Sequence, residues 1–191
     1  MGNGSLQGLR VAILVTDGFE QVELEKPRAA LDDAGADTVV VSPKDKTVLG
    51  MNHLDKGDEF IVDQQMEHAE CDDFDAVLLP GGVVHADTLR MNEDARRFVQ
   101  ACDANDKPIA VICHGPWLLL SAGLVKGRHL TSYFTVQDHI RNAGGNWTDQ
   151  ETVLDKNWVS SRQPDDIPAF NRAMLELFAG IQKKSKRAGQ V

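Results

Sequence analysis

Apolar residues occur along the chain as short continuous runs broken by polar, glycine-bearing stretches. Residues 10 to 16, RVAILVT, form a run of strand length. Asp17 and Gly18 then supply turn residues before a helix-like stretch, EQVELEKPRAALDDAG. The alternation repeats. DTVVVSP reads as a second strand, DAVLLPGG as a third that leads to the helix NEDARRFVQACDAND, and PIAVICHG as a fourth that feeds the helix PWLLLSAG. The stretch from about 43 to 73 is polar and weakly patterned, which suits short hairpins. The remainder predicts a short strand near LTSYF, a helix over VQDHIRNAG, a β-rich pair in TVLDKNWVSSR and a closing helix, PDDIPAFNRAMLELFAG, N-capped by Asp165 or Asp166. Pro27 falls inside the first helix and predicts a kink or a restart there.

Strands that are apolar on both faces and alternate with helices describe a parallel sheet covered on both sides, because each crossover must return along one face. The fold class read from the pattern is therefore doubly wound α/β. In such sheets ligands bind beyond the carboxyl ends of the strands. Three loops fall there: TDGFE, LPGG and CHGP. No Gly-x-Gly-x-x-Gly follows the first strand and no Walker-type lysine follows a glycine loop, so nothing signals a nucleotide.

Cys113 ends a strand where the chain turns into a helix, a place that lifts a side chain clear of the sheet and favours negative charge. It is equally readable as the last buried residue of its strand. His114 is adjacent, although neighbours on a turn need not face each other. Gly81 and Gly82 leave room for backbone amides to approach an anion, and Gly115 joins them as a candidate binding residue. Glu20, just after the first turn, is placed to meet Cys113 and to hydrogen-bond to the sulfur or carry a proton. Its alternative role is compensation of the helix dipole, which Glu23 and Glu25 also serve. Cys102, within a helix pattern, and Cys71, in a polar segment, read as structural or incidental.

Composition narrows the function classes. The 191 residues are 42% hydrophobic and 26% charged, which suits one domain spanning the chain, with a core over about 9–180 and a basic tail, 181–191, holding KKSKR. A formal net charge of −9 disfavours nucleic-acid backbones and anionic lipid. No apolar run has the length of a membrane span, and MGNGSLQGLR lacks the apolar stretch of a signal peptide. Three scattered cysteines make no disulfide framework and no zinc spacing. A cytoplasmic protein without metal or cofactor is expected.

The stretches DGFEQVELEKPRAAL, FDAVLLPGG, DTLRMNE, KPIAVICHGPWLLLSAGLVKGRHLTSY and NWVSSRQPDD, in this order and spacing, resemble the ThiJ/PfpI superfamily, most closely its PfpI intracellular protease and general stress protein branch. The resemblance implies a flavodoxin-like three-layer sandwich of the class I glutamine-amidotransferase type, with a mainly parallel sheet. It places Cys113 at a nucleophile elbow and Glu20 on its sulfur, and it accommodates Pro27. It also implies His114 as a base oriented by an acid after the Gly-Gly loop, reaching in from another subunit of a dimer or larger homo-oligomer. The family pattern has proline and glutamate where this chain has Ala86 and Asp87, with one residue more between Gly82 and the acid, and the aspartate is one methylene shorter.

Activities that the resemblance implies range over peptidase, glyoxalase, deglycase and chaperone, and fold does not choose among them. A thiolate beside a carboxylic acid suits attack on small dicarbonyls or glycated groups, whereas peptide cleavage also needs an oriented base and an extended cleft. The favoured reading is a stress-response cysteine hydrolase or lyase of the glyoxalase or deglycase kind, acting on small carbonyl compounds or damaged proteins. The alternatives are a PfpI-type peptidase, and a redox sensor or chaperone in which Cys113 is oxidised without turnover.

Overall fold

The computed structural model describes residues 6–188 and the side chains of residues 6–180. The first apolar run forms β1 (Arg10–Leu14). A two-residue strand, β2 (Phe19–Glu20), then leads directly into α1 (Gln21–Asp33). After β3 (Asp37–Ser42) the weakly patterned segment folds as the hairpin β4 (Thr47–Asn52) and β5 (Asp55–Ile61), a short β6 (Gln64–Gln65) and two 3-10 turns. Then come β7 (Ala76–Leu79), α2 (Val83–Leu89), α3 (Glu93–Ala104), β8 (Ile109–Ile112) and α4 (Pro116–Ser121). The chain closes with β9 (His129–Leu130), α5 (Gln137–Asn142), β10 (Asn146–Trp147), β11 (Thr152–Asp155), β12 (Trp158–Ser161) and α6 (Ile167–Ala188).

Seven strands form the central sheet in the order β11-β12-β8-β7-β1-β3-β6, with every neighbouring pair parallel except β11 against β12. The fold is a flavodoxin-like α/β sandwich, as the family resemblance implies, and it falls in the α/β class that the alternation of runs describes. Both faces of the central strands β1, β7, β8 and β12 are buried, and period-2 geometry sorts them. Ala12 and Leu14 point to one core with Val39, Val77 and Val111, while Val11 and Ile13 point to the other with Val40, Leu78 and Ile112. The first core is covered by α3 and α4 through Phe98, Val99, Leu118 and Leu119. The second is covered by α1 and α6, where Phe170, Met174 and Phe178 recur every four residues and are fully buried. Each such side chain contributes roughly 1.5–3 kcal/mol from burial. Cys71 and Cys102 sit in the first core, Cys71 despite the polar segment around it.

Several elements differ from expectation. The pattern does not predict α2, because its seven residues carry two valines on an exposed face. Of LTSYF only Leu130 is in a strand, the two-residue β9, which pairs in parallel with β10 before a 3-10 turn over Phe134–Val136. Pro27 does not interrupt α1; it lies on the buried face, and the hydrogen bond its missing N–H forgoes is the one to the Glu23 carbonyl. At the start of α6, Asp166 is paired with Arg162 at 2.8 Å and 3.0 Å. The KKSKR side chains and the first five residues lie outside the described residues.

Candidate active site

Because β1, β7 and β8 are parallel neighbours, the loops after them emerge together at one edge of the sheet. Cys113 follows β8 directly with φ at +61°, a conformation costly for a residue with a Cβ and characteristic of strained turns that expose a nucleophile. The turn is pinned on both sides. The Cys113 amide donates to the Ser161 carbonyl at 3.1 Å, and its carbonyl accepts from the Tyr133 amide at 2.9 Å. A Cβ on Gly115 would stand 2.7 Å from the Leu79 carbonyl oxygen, so glycine lets the turn pack onto β7.

The carboxyl that meets the sulfur is Glu23, not Glu20. Glu23 is wholly buried in the first turn of α1, and its Oε2 accepts from the Gly81 amide at 2.8 Å. A Cβ built on Gly81 would meet that same Oε2 at 2.5 Å and Cys113 Cβ at 2.6 Å, which shows how closely the three residues converge. Glu23 Oε1 has no partner among oxygen and nitrogen atoms, and the carboxyl interacts with the Cys113 thiol. Glu20, three residues earlier, ends β2 and faces the cleft mouth, where it accepts from the His53 amide at 3.2 Å. Its charge acts on Glu23 from there. The sequence carried a signal for this choice: Glu23 shares the buried stripe of α1 with Leu24, Pro27 and Leu31.

Burial raises Glu23 to about 8, with the Glu20 charge adding to the rise and the Gly81 amide opposing it. Burial also pushes the Cys113 thiol well above its usual value, Glu23 raises it further, and the amides of Gly82 and His114 pull the other way. This corrects the expectation of a thiolate favoured by a helix terminus alone. α4 has only six residues, and desolvation outweighs what its first turn provides. The two groups act on each other as a pair, and a protonated Glu23 favours a thiolate on Cys113 where an ionised one opposes it.

The glycine expectations also need correction. The Gly81 amide is committed to Glu23 and the Gly115 amide to the Ile112 carbonyl at 2.9 Å. The amides that face the sulfur are those of Gly82 and His114.

His114 Nδ1 lies 3.2 Å from Cys113 Sγ, so adjacency in sequence is contact in space. Its Nε2 meets Thr135 Oγ1 at 3.3 Å, and its ring packs against Tyr133 and Trp117. Burial lowers His114 to about 4, so its imidazole is neutral at physiological pH. Asp87 is not beside it in the chain: it is exposed on α2 and paired with Arg90 at 2.7 Å. Sequence reasoning also missed His85, buried beneath the loops, whose Nδ1 accepts from the Thr16 amide at 3.0 Å and which is lowered to about 4 by burial. Nothing in the pattern marked Thr135 or His85.

The cleft above Cys113 has a volume of about 660 Å³ and is lined by Glu20, Glu23, Met51, Leu54, Val83, His114, Tyr133 and Asp165, among others. No group of three or more histidine, cysteine or acidic side chains disposed to hold a metal occurs among the described residues.

The chain belongs to the DJ-1/PfpI family, whose pattern matches residues 9–177. It is 40% identical to a protein named a deglycase from Thermococcus kodakarensis, over 88% of this chain and 99% of that one. It is 38% identical to YraA of Bacillus subtilis, named provisionally as a cysteine protease, over 88% of this chain and 97% of YraA. Among solved structures, a protein from Anabaena variabilis with DJ-1/ThiJ/PfpI-like and ferritin-like domains superposes with a TM-score of 0.83 at 31% identity. The match covers 88% of this chain and 47% of that two-domain protein.

Proposed function

We propose that this protein is a cysteine-dependent hydrolase or lyase acting on reactive dicarbonyls or the glycated groups they form, with Cys113 as nucleophile and Glu23 as proton carrier. The observation that carries this reading is the buried Glu23 carboxyl, with Oε1 unpartnered, against the Cys113 thiol at the floor of the cleft. The deglycase names of relatives near 40% identity support it.

The chemistry follows from that pair. With methylglyoxal, sulfur attacks the aldehyde carbon and the carbonyl oxygen takes a proton, giving a hemithioacetal. A carboxyl in Glu23's place then moves a proton from the former aldehyde carbon to its neighbour, which converts the adduct to a thioester. Water releases lactate and restores the thiol. The amides of Gly82 and His114 are placed to hold the oxygen that gathers charge. In the hemiaminal or hemithioacetal that methylglyoxal forms with an amine or thiol, sulfur displaces the original group from the carbinol carbon, the group leaves with the proton the thiol gives up, and the same hemithioacetal on Cys113 results.

A peptidase of the PfpI type needs more. His114 would have to act as an oriented base, and within one chain its Nε2 faces a neutral hydroxyl while Asp87 is held by Arg90. That reading requires Asp87 of one copy to approach His114 of another in a homo-oligomer, and the name of YraA is its support. Cytoplasmic location and the absence of nucleic-acid partners belong to the proposal; no helix among the described residues is long and apolar enough to cross a membrane. The test is lactate formation from methylglyoxal, and amine release from methylglyoxal-treated N-acetyl-lysine amide, by wild type and Cys113→Ala. Wild type should produce both, and Cys113→Ala neither above background.

A further inference from the structure

The charge of the cleft is one-sided. Glu20 and Asp165 stand at its mouth with Glu23 at its floor, and no lysine or arginine lines it. Lys56, opposite Met51 on the β4–β5 hairpin, has no ion pair among the described residues but does not line the cleft, and other cations nearby are engaged. Arg162, between Gln163 and the sheet, is paired with Asp149 at 2.7 Å and with Asp166 at 2.8 Å. Arg90 is paired with Asp87, and Lys44 with Asp17. His53, 85% exposed, is the one basic side chain at the rim among the described residues, and its Nδ1 already lies 3.9 Å from Glu20. Asp165 has no ion pair among the described residues. The formal charge of the whole chain, −9, has the same sign.

A site intended for an anion would present a cation or a cluster of free amides. Here the Gly81 amide is taken by Glu23, and the amides that remain face the sulfur, where they serve the reacting oxygen. We infer that the Cys113 cleft discriminates by charge, admitting uncharged and cationic carbonyl compounds and disfavouring those that carry a carboxylate, with Glu20 and Asp165 as the residues that set the preference. The inference deepens the carbonyl reading of the site by naming the substrate class. It also fits the product: a neutral dicarbonyl plus water becomes a 2-hydroxycarboxylate and a proton, so turnover creates a negative charge among carboxylates and favours release. Two unit charges several ångströms apart in a partly solvated cleft correspond to a rate ratio on the order of tenfold, reduced by salt.

The experiment needs no turnover. Cys113 is alkylated with neutral iodoacetamide and with anionic iodoacetate, and the ratio of the two rates is divided by the same ratio for a small neutral thiol. The expected result is a bias against iodoacetate of about tenfold at low salt. The bias should shrink in 0.5 M sodium chloride and again in Glu20→Gln and Asp165→Asn. A corrected ratio near one, or one unmoved by salt and by both substitutions, overturns the inference. A second arm compares phenylglyoxal with its 4-carboxy derivative, read as mandelate formed. Preference for the carboxylated compound overturns the inference, while failure of wild type to turn over either overturns the carbonyl reading and leaves the alkylation result to judge charge selection.

Discussion

Glu23 and Cys113 approach each other across Gly81: the glutamate's Oε2 accepts the Gly81 amide, and a Cβ on that glycine would overlap both the carboxylate and the cysteine. The glycine is thus a spacer that lets a strand loop, a helix and a nucleophile turn share one point.

Gly81→Ala should leave the sheet intact and disable the site. The added methyl would lie 2.5 Å from Glu23 Oε2 and 2.6 Å from Cys113 Cβ, and neither neighbour is the free end of a flexible exposed chain. Lactate formation should fall by about 100-fold or more while circular dichroism keeps the wild-type shape, the usual scale for displacing a general acid or base.

Cys113 should be the first of the three thiols to react with limiting iodoacetamide, as read by peptide mapping. It borders the cleft, whereas Cys71 and Cys102 lie in the core and burial raises the Cys102 thiol. Its rate should rise with pH into the alkaline range, since burial and Glu23 hold the Cys113 thiol above its usual value. Faster labelling of Cys71 would remove the site assignment.

Much of the fold was legible because a short run that is apolar on both faces suits a strand covered on both sides and little else. RVAILVT, DAVLLPGG and PIAVICHG became adjacent parallel strands, and their loops met where a parallel sheet places its ligands. The site was legible only as far as loops reveal it. Choosing between Glu20 and Glu23 required the phase of α1, since three residues separate a side chain at the mouth from one in the core. Asp87 was assigned by place in a motif, and its ion pair with Arg90 is invisible without coordinates. Thr135 and His85 act through contacts between segments far apart in sequence, which no local pattern records.

Acid should weaken the fold through buried histidines. His85 and His114 are lowered to about 4 from an ordinary 6.5, so between these values the unfolded chain binds protons that the folded chain does not. Their contribution is complete above pH 6.5 and is lost as pH falls toward 4, up to about 3 kcal/mol per histidine. Glu23 acts in the opposite sense: its contribution is present below pH 4.5 and is lost as pH rises through about 8. Urea unfolding from pH 4 to 9 should show a maximum between these limits, and His85→Gln should flatten the acid side.

Asp87→Ala should keep carbonyl turnover within about threefold of wild type, since neither Cys113 nor Glu23 touches Asp87 and its partner is Arg90. A loss near 100-fold that is partly repaired by mixing Asp87→Ala with Cys113→Ala protein would instead establish an acid acting between copies, as the peptidase reading requires.

The most direct measurement is kcat/KM for lactate formation from methylglyoxal in Glu23→Gln and Glu20→Gln, side by side. Glutamine in place of Glu23 keeps the size and an acceptor for the Gly81 amide but cannot exchange a proton. That variant should therefore lose about 100-fold or more. Glu20→Gln removes only a neighbouring charge and should stay within about tenfold of wild type. Full activity in Glu23→Gln, or the larger loss in Glu20→Gln, would contradict the assignment of proton transfer to Glu23.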